Sequence, residues 1–223
     1  MSLAGKVWRL PTITELQTLV DFSRSNPHIN PTYFPNAPSS VTPFYTFWSS
    51  TNLSVDSTKK FTVASSNGDV NPFPQTNSHY VRCVSGEHPR EYVENFTDNG
   101  DGTITDHTTK LVWQKCSLGQ TNDSSCTGTA SQLDWSHAVN NCVSLNLAGK
   151  VWRLPNMNEL FSLWNTSANS ALNSTFFPNS TDRYWSSTSY TNGSGGWDIG
   201  FTSFNASPVG KGVNFYGHCV SDL

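Results

Sequence analysis

The sequence is poor in charge. Of its 223 residues, 13 are Lys or Arg and 16 are Asp or Glu, so charged residues make up 13% of the chain, about half of the ~25% usual in globular domains. The net charge is −3, and Lys and Arg form no stripe or cluster, which argues against a nucleic acid partner. No apolar run approaches the ~18 residues that a membrane-spanning helix needs.

The usual signatures of enzymes and metal sites are missing as well. The chain has no Gly-x-Ser-x-Gly elbow, His-Glu-x-x-His helix or phosphate loop. It has no Cys-x-x-Cys or paired His spacing for zinc, and an EF-hand aligned on Asp101-Gly102 would place Thr97 and Thr108 where carboxylate ligands are needed. We therefore expect no catalysis, no metal and no cofactor.

One nine-residue phrase occurs twice, Leu-Ala-Gly-Lys-Val-Trp-Arg-Leu-Pro at residues 3–11 and 147–155. Further landmarks follow in the same order in both copies. They are Phe-Pro-Asn at 34–36 and 177–179, Trp-Ser-Ser-Thr at 48–51 and 185–188, and Cys-Val at 83–84 and 219–220. Their spacing drifts slightly, as loops do on a shared scaffold. The chain is therefore a tandem repeat of two modules.

The first copy lacks what precedes the phrase in the second. Residues from Phe96 to Asn146 come before the second phrase, but only Met1 and Ser2 come before the first. We predict a first module at 1–88 without its N-terminal hairpin and first helix, and a complete second module at 95–223. Either the polypeptide was cut inside the first domain or the natural protein carries a degenerate one, and the Met-Ser-Leu opening favours the cut.

The five cysteines follow the repeat. Four lie in the second copy, an even number that suggests two disulfides. We pair Cys116 with Cys126, and Cys142 with Cys219. Cys83 is the counterpart of Cys219 and is expected to be unpaired, because its partner would fall ahead of residue 1. This pattern indicates an oxidising compartment: extracellular, cell surface or periplasmic.

Turn and helix signals indicate an α+β class. Asn-Gly and Asp-Gly in 98–102 supply the positive φ of a hairpin over 96–113. Apolar residues at helical spacing predict a helix from Asp134 to Leu145. A second helix begins at the capping boxes Asn156-x-x-Glu159 and Thr12-x-x-Glu15. Short strands are expected at 184–187, 197–201, 213–216 and 218–220. Two helices and short twisted antiparallel strands, with the first helix tied to the last strand, are the plan of the C-type-lectin-like fold.

Several motifs together carry a family resemblance: Asp98-Asn-Gly-Asp-Gly-Thr-Ile-Thr-Asp106, Leu111-Val-Trp-Gln-Lys-Cys116, Trp152-Arg-Leu-Pro155, Tyr184-Trp-Ser-Ser-Thr188 and the final Cys219-Val220. In this order they resemble the Lcl C-terminal domain family of bacterial surface proteins. The resemblance implies a C-type-lectin-like fold on a secreted or surface-anchored protein. The type member is a collagen-like adhesin whose trimeric domain binds sulfated glycans. That activity needs a cationic surface, so it is not expected of this slightly acidic chain.

The repeated aromatic and charged residues have a structural interpretation. The arginine beside each tryptophan can pair with the capping-box glutamate or stack on the ring, and the Trp-Ser-Ser-Thr tryptophans are expected in the core. This structural set is Trp8, Arg9, Glu15, Trp48, Trp152, Arg153, Glu159 and Trp185.

A ligand site is expected on loops between 189 and 217, where aromatic faces can stack on sugars and amides can bond hydroxyls. If Trp197 belongs to the core, this cluster dissolves. The candidate residues are Tyr190, Trp197, Asp198, Asn205, Lys211 and Asn214.

Three functions compete. The first is a non-enzymatic adhesin-like module that binds a glycan or a host or matrix protein, as a monomer or a homo-oligomer. The second is a structural spacer repeat of a larger bacterial surface protein. The third and weakest is an enzyme of the formylglycine-generating type, whose fold is similar but whose cysteines are catalytic.

Overall fold

The computed structural model describes residues 2–24, 26–36, 45–87, 95–165, 172–191 and 193–223. The chain divides into two compact units, Met1–Glu91 with Asn205–Ser207, and Tyr92–Phe204 with Pro208–Leu223. The described residues form mainly antiparallel sheets with three short helices, which is an α+β architecture. Within the described part of the chain, no helix has both the length and the apolar character to span a bilayer.

The described residues of the first unit form two groups of paired strands and one helix. The strand order in one sheet is β1-β2-β6, and β3, β4 and β5 follow one another as antiparallel neighbours. The elements are β1 Ser2–Leu3, β2 Lys6–Arg9, α1 Ile13–Gln17, β3 Thr46–Leu53, β4 Asp56–Ala64, β5 Val70–Pro74 and β6 Val84–Ser85.

The second unit carries a four-stranded sheet of order β13-β9-β8-β7, and β10 pairs with β11. The elements here are β7 Phe96–Asp98, β8 Thr103–Asp106, β9 Leu111–Gln114, α2 Trp135–Val143, α3 Met157–Ser162, β10 Arg183–Ser189, β11 Gly195–Gly200 and β13 Val220–Asp222. Strand β12, Asn205–Gly210, begins in the three residues grouped with the first unit. The hairpin and both helices thus lie where the sequence predicts them.

Two strand predictions differ from the structure. Residues 213–216 form no strand, because Phe215 and Tyr216 make only isolated bridges, to Leu133 and Tyr184. The last strand begins at Val220 rather than 218. The sequence also missed β12, whose run Asn-Ala-Ser-Pro-Val-Gly has low strand propensity. Short polar segments of this kind take strand geometry from their neighbours rather than from their own side chains.

The core of the second unit lies between its hairpin sheet, α2 and β10. Asp134 is the N-cap residue of helix α2, and its side chain accepts a hydrogen bond from the His137 amide. Cys142 of α2 is bonded to Cys219, and Cys116 to Cys126, the two pairs expected from the sequence; Cys83 is the free cysteine. The buried cluster consists of Val112, Leu118, Ala138, Cys142, Trp152, Leu154, Trp185 and Cys219.

The Arg-Glu pair is the same in both units. Each arginine makes a two-pronged ion pair with the capping-box glutamate: Arg9 to Glu15 at 2.7 and 2.7 Å, and Arg153 to Glu159 at 2.8 and 2.7 Å. The same glutamate accepts the N-cap amide, which closes the capping box. In each unit this ion pair therefore links the arginine of the Trp-Arg-Leu-Pro segment to the start of the following helix. Both the guanidinium and the carboxylate are occupied by these structural contacts.

The Trp-Ser-Ser-Thr motif is also a frame element. Ser49 Oγ donates to the Phe61 carbonyl at 2.8 Å, and Ser186 Oγ to the Trp197 carbonyl at 2.9 Å. The threonine hydroxyls accept the first amide of α1 and of α3, at 3.0 and 3.1 Å. The duplicated polar residues are thus repeated because the backbone needs them as hydrogen-bond partners.

Candidate functional site

Two residues of the predicted ligand site are inaccessible. Trp197 and Asp198 lie on β11, which is buried along its whole length, and both are 0% exposed. Asp198 accepts the Arg183 side chain, with its Oδ1 at 2.8 Å from Nε and in contact with Nη2. The prediction that these two residues contact a ligand is therefore wrong: the indole is in the core, and the carboxylate is held by an internal arginine.

The other four candidates lie closer to solvent. Tyr190 is half-buried, with its ring centroid 6.3 Å from that of Trp197. The Tyr190 ring thus packs against the buried Trp197 ring. Lys211 and Asn205 are half-buried, and Asn214 is exposed. Of these four, Lys211 is the one whose side chain meets the end of β10, at Ser189.

Lys211 is held by two groups at this position. Its Nζ lies 3.9 Å from the centre of the Trp135 ring and 3.0 Å from Ser189 Oγ. A cation over an indole face is a favourable contact. We call the three residues Trp135, Ser189 and Lys211 the Lys211 patch.

Trp135 is the residue that sequence reasoning assigned only to a helix face. Its Nε1 donates to the Ser186 carbonyl at 2.8 Å, which fixes the indole at the N-terminal turn of α2. A Cβ on Gly196 would lie 2.7 Å from Trp135 Cδ1, so this glycine lets the ring pack directly on β11. The available signal was its place at the first position of the helix, where one side of a ring is often left to solvent.

The patch borders a second polar pair at the start of α2. His137 Nδ1 lies 2.8 Å from Asp134 Oδ2. The Asp134 carboxylate also accepts a hydrogen bond from the backbone amide of His137, and this bond holds the pKa of Asp134 below its usual range. The Asp134 carboxylate therefore lies next to Trp135, and the Ser189 hydroxyl lies next to Lys211. This mixture of hydrogen-bond donors and acceptors suits neutral polar ligands.

Two groups outside the patch, His218 and Asp69, have large pKa shifts. Burial lowers the pKa of His218 to about 4, among the rings of Phe177 and Tyr184. Burial raises the pKa of Asp69 to about 6, beside a pocket of about 70 Å³. Across the described segments, no group of three or more His, Cys, Asp and Glu side chains is placed to hold a metal ion.

The first unit contains a larger concave feature. An open cavity of about 580 Å³ lies between β2, α1 and β6, and apolar side chains form most of its wall. Trp8 and Cys83 line it, and both are half-buried. No residue of the predicted ligand site lines this cavity.

The architecture defines a class: a disulfide-bonded α+β chain built as two related units. The family model of the Lcl C-terminal domain matches residues 1–85 and 102–221. The chain belongs to this family, and the two matched segments fit two tandem copies, which confirms the family predicted from the motifs. The family is not one of known enzymes. No curated protein and no solved structure matches the chain.

Proposed function

We propose that the chain is a non-enzymatic binding module of the bacterial exterior, with a C-type-lectin-like fold, that binds a glycan or a protein ligand through the Lys211 patch. The observation that carries this proposal is the position of Lys211 Nζ, 3.9 Å over the Trp135 ring and 3.0 Å from Ser189 Oγ. An ammonium group has three donors. One meets Ser189, so others remain for a ligand oxygen.

The chemistry of the patch suits a polar ligand with apolar faces. The half-buried Trp135 ring offers aromatic surface to the C–H face of a sugar or to an apolar side chain. Lys211 supplies donors for a hydroxyl or a carbonyl. With a net charge of −3, the chain has no excess of cations to attract a polyanion.

The exterior location and the lectin-like fold are supported by the disulfides. Two disulfides are stable in an oxidising compartment. One of them joins α2 to Cys219, the residue before β13, which reproduces the link between first helix and last strand expected of that fold. A disulfide map of the oxidised protein that lacks the Cys142–Cys219 bond would overturn the fold assignment.

Binding can be tested with the whole chain on a glycan array and on a panel of immobilised matrix proteins. Lys211→Met keeps the aliphatic stem but removes the charge, and we expect it to weaken binding about tenfold, the effect of ~1.4 kcal/mol. Lys150→Met is the matched control in the same unit, at a lysine that does not belong to the patch, and should bind as the unchanged chain does.

Two results would contradict the proposal. If the unchanged chain binds nothing on either panel at high concentration, the chain is better explained as a spacer repeat. If Lys150→Met weakens binding as much as Lys211→Met, the signal reports overall charge rather than this patch.

A further inference from the structure

The cavity in the first unit has an apolar wall. Its lining includes Trp8 of β2, Leu16 and Leu19 beside α1, and Phe34, together with Cys83 and Val84 at β6. It is open to solvent and encloses about 580 Å³. A volume of this size is large enough for bulky side chains of a docked segment.

The counterpart of this wall in the second unit is covered. Trp152 and Val220 are 2% and 0% exposed, whereas their equivalents Trp8 and Val84 are half-buried. The cover is supplied by residues ahead of the second Trp-Arg-Leu-Pro phrase. Val112 of β9 and Ala138 and Cys142 of α2 belong to the same buried cluster as Trp152.

The aromatic residues of the hairpin fill the other side. The Trp113 ring of β9 lies 6.1 Å from that of His218, and Phe96 of β7 lies 5.7 Å from Phe177. His218 and Phe177 are the equivalents of Arg82 and Phe34, which both line the cavity in the first unit. The space lined by Arg82 and Phe34 therefore corresponds to the space that a tryptophan and a phenylalanine fill in the second unit.

Strand edges show the same difference. In the second unit, β13 pairs with β9 through Val220↔Trp113, and the Cys219 carbonyl accepts the Gln114 amide at 2.9 Å. In the first unit, β6 is the last strand of its sheet among the described residues. It pairs with β2 through Arg9↔Val84, and Cys83, Val84 and Ser85 line the cavity. An open edge of this kind accepts an added strand.

We propose that this cavity and the edge of β6 are a docking site for one kind of occupant: a polypeptide segment with the pattern of residues 95–147. Such a segment adds a strand to β6, places a tryptophan in the cavity, and lays a helix over Trp8 with a cysteine facing Cys83. This proposal rests on the internal repeat and is independent of the Lys211 patch.

The test uses the whole chain and a polypeptide of residues 95–147 as the probe. The probe carries Cys116→Ser and Cys126→Ser, and its Cys142 is a mixed disulfide with 5-thio-2-nitrobenzoate. The Cys83 thiolate attacks Cys142 Sγ, a new S–S bond forms, the old one breaks, and the coloured thionitrobenzoate thiolate leaves with the electron pair. Cys83 is the free cysteine of the chain, so the released colour reports this residue.

Docking should accelerate this exchange. At ~10 µM probe, a docked complex with an effective concentration near 1 mM reacts about 100-fold faster than a scrambled probe with cysteine at the same position. The rate should also saturate with probe concentration. A probe with Trp113→Ala should lose most of the acceleration, which tests the tryptophan without changing the chain.

Two variants of the chain locate the effect. Leu19→Arg puts a charge into the cavity wall at a half-buried position and should abolish the acceleration. Val55→Arg makes the same change at an exposed position of the first unit, outside the cavity, and should keep it. Reaction with the free aromatic disulfide reagent checks that Cys83 itself is equally reactive in both variants.

Equal rates for the natural and scrambled probes would overturn the proposal. So would a chain that dimerises through Cys83 and excludes the probe, because the occupant would then be a second copy of the first unit.

Discussion

The Trp-Arg-Leu-Pro segment of the first unit borders an open cavity, whereas the same segment in the second unit lies under a hairpin, a helix and a disulfide. The hydrogen bonds behind the two segments are nevertheless the same. Ser50 N donates to the Pro11 carbonyl at 2.7 Å, and Ser187 N donates to the Pro155 carbonyl at 2.7 Å. The backbone between the repeated tryptophan and the following helix therefore keeps the same hydrogen bond whether or not other residues cover it.

The comparison separates two roles within one module. Polar contacts of the repeated motifs set the backbone path, and the residues ahead of the motif bury the apolar face. Trp48 is half-buried, whereas its equivalent Trp185 is 0% exposed. The backbone amide of each tryptophan nevertheless donates to an equivalent carbonyl, Trp48 to Tyr80 at 2.9 Å and Trp185 to Tyr216 at 3.0 Å. The two tryptophans therefore differ in burial but share the same backbone hydrogen bond.

The largest difference is expected from the cysteines. Replacing both Cys142 and Cys219 by Ala opens a loop of sequence separation 77 and should destabilise the second unit by about 4.5 kcal/mol on the chain-entropy model. Cys83→Ala removes no bond and should change the first unit by less than about 0.5 kcal/mol. Urea unfolding followed by pulsed hydrogen exchange reports both units in one sample, and equal effects would break the comparison.

Truncation of the repeated tryptophan should give the next largest difference. Trp152→Ala leaves a cavity at a 2% exposed site and should cost the second unit about 4 kcal/mol of unfolding free energy. Trp8 is half-buried, so Trp8→Ala should cost the first unit about half as much. The same unfolding experiment measures both, and a larger loss for Trp8 would contradict the exposure difference.

The units should also differ in their response to acid. His218 has a pKa of about 4 in the folded state, lowered from 6.5 by burial. Between these values the unfolded chain binds more protons, so the second unit should lose roughly 3 kcal/mol as pH falls from 6.5 to 4. The first unit has Arg82 at this position, so its own acid response comes from other groups, including His28 and His79, whose pKa values burial also lowers. His218→Phe should remove this part of the pH slope, and an unchanged slope would assign it to other groups.

The smallest effect should be the same in both units. Thr51→Val and Thr188→Val each remove a hydroxyl that accepts the first helix amide, at 3.0 and 3.1 Å. Each should cost about 1 kcal/mol, measured by thermal and urea unfolding. A difference much above about 0.5 kcal/mol between the two would show that the frames are not equivalent.

Much of the frame could be predicted from the sequence because it is encoded locally. The capping boxes at Thr12 and Asn156, the turn at 98–102 and the Cys116–Cys126 pair all depend on short spacings of residues with one clear role. The repeat presents the capping-box signal twice. These features need no knowledge of which side of an element is covered.

The ligand site was harder to predict because burial is a tertiary property. Trp197 and Trp135 are both tryptophans beside polar residues, yet one is 0% exposed and the other is half-buried under Lys211. Gly196 decides part of this, since only a residue without a Cβ lets Trp135 lie on β11. The cavity of the first unit likewise follows from the space between elements, which residue spacing does not reveal.

Hydrogen exchange at the two equivalent strand pairs tests the central claim most directly. Val220 is fully buried and forms two backbone hydrogen bonds of 2.9 Å with Arg153. Val84 is half-buried and pairs with Arg9 on a strand that ends its sheet among the described residues. The account predicts that the Val84 amide exchanges at least about 100-fold faster than the Val220 amide, and that addition of the 95–147 polypeptide slows it. Equal protection of the two amides without the polypeptide would contradict it.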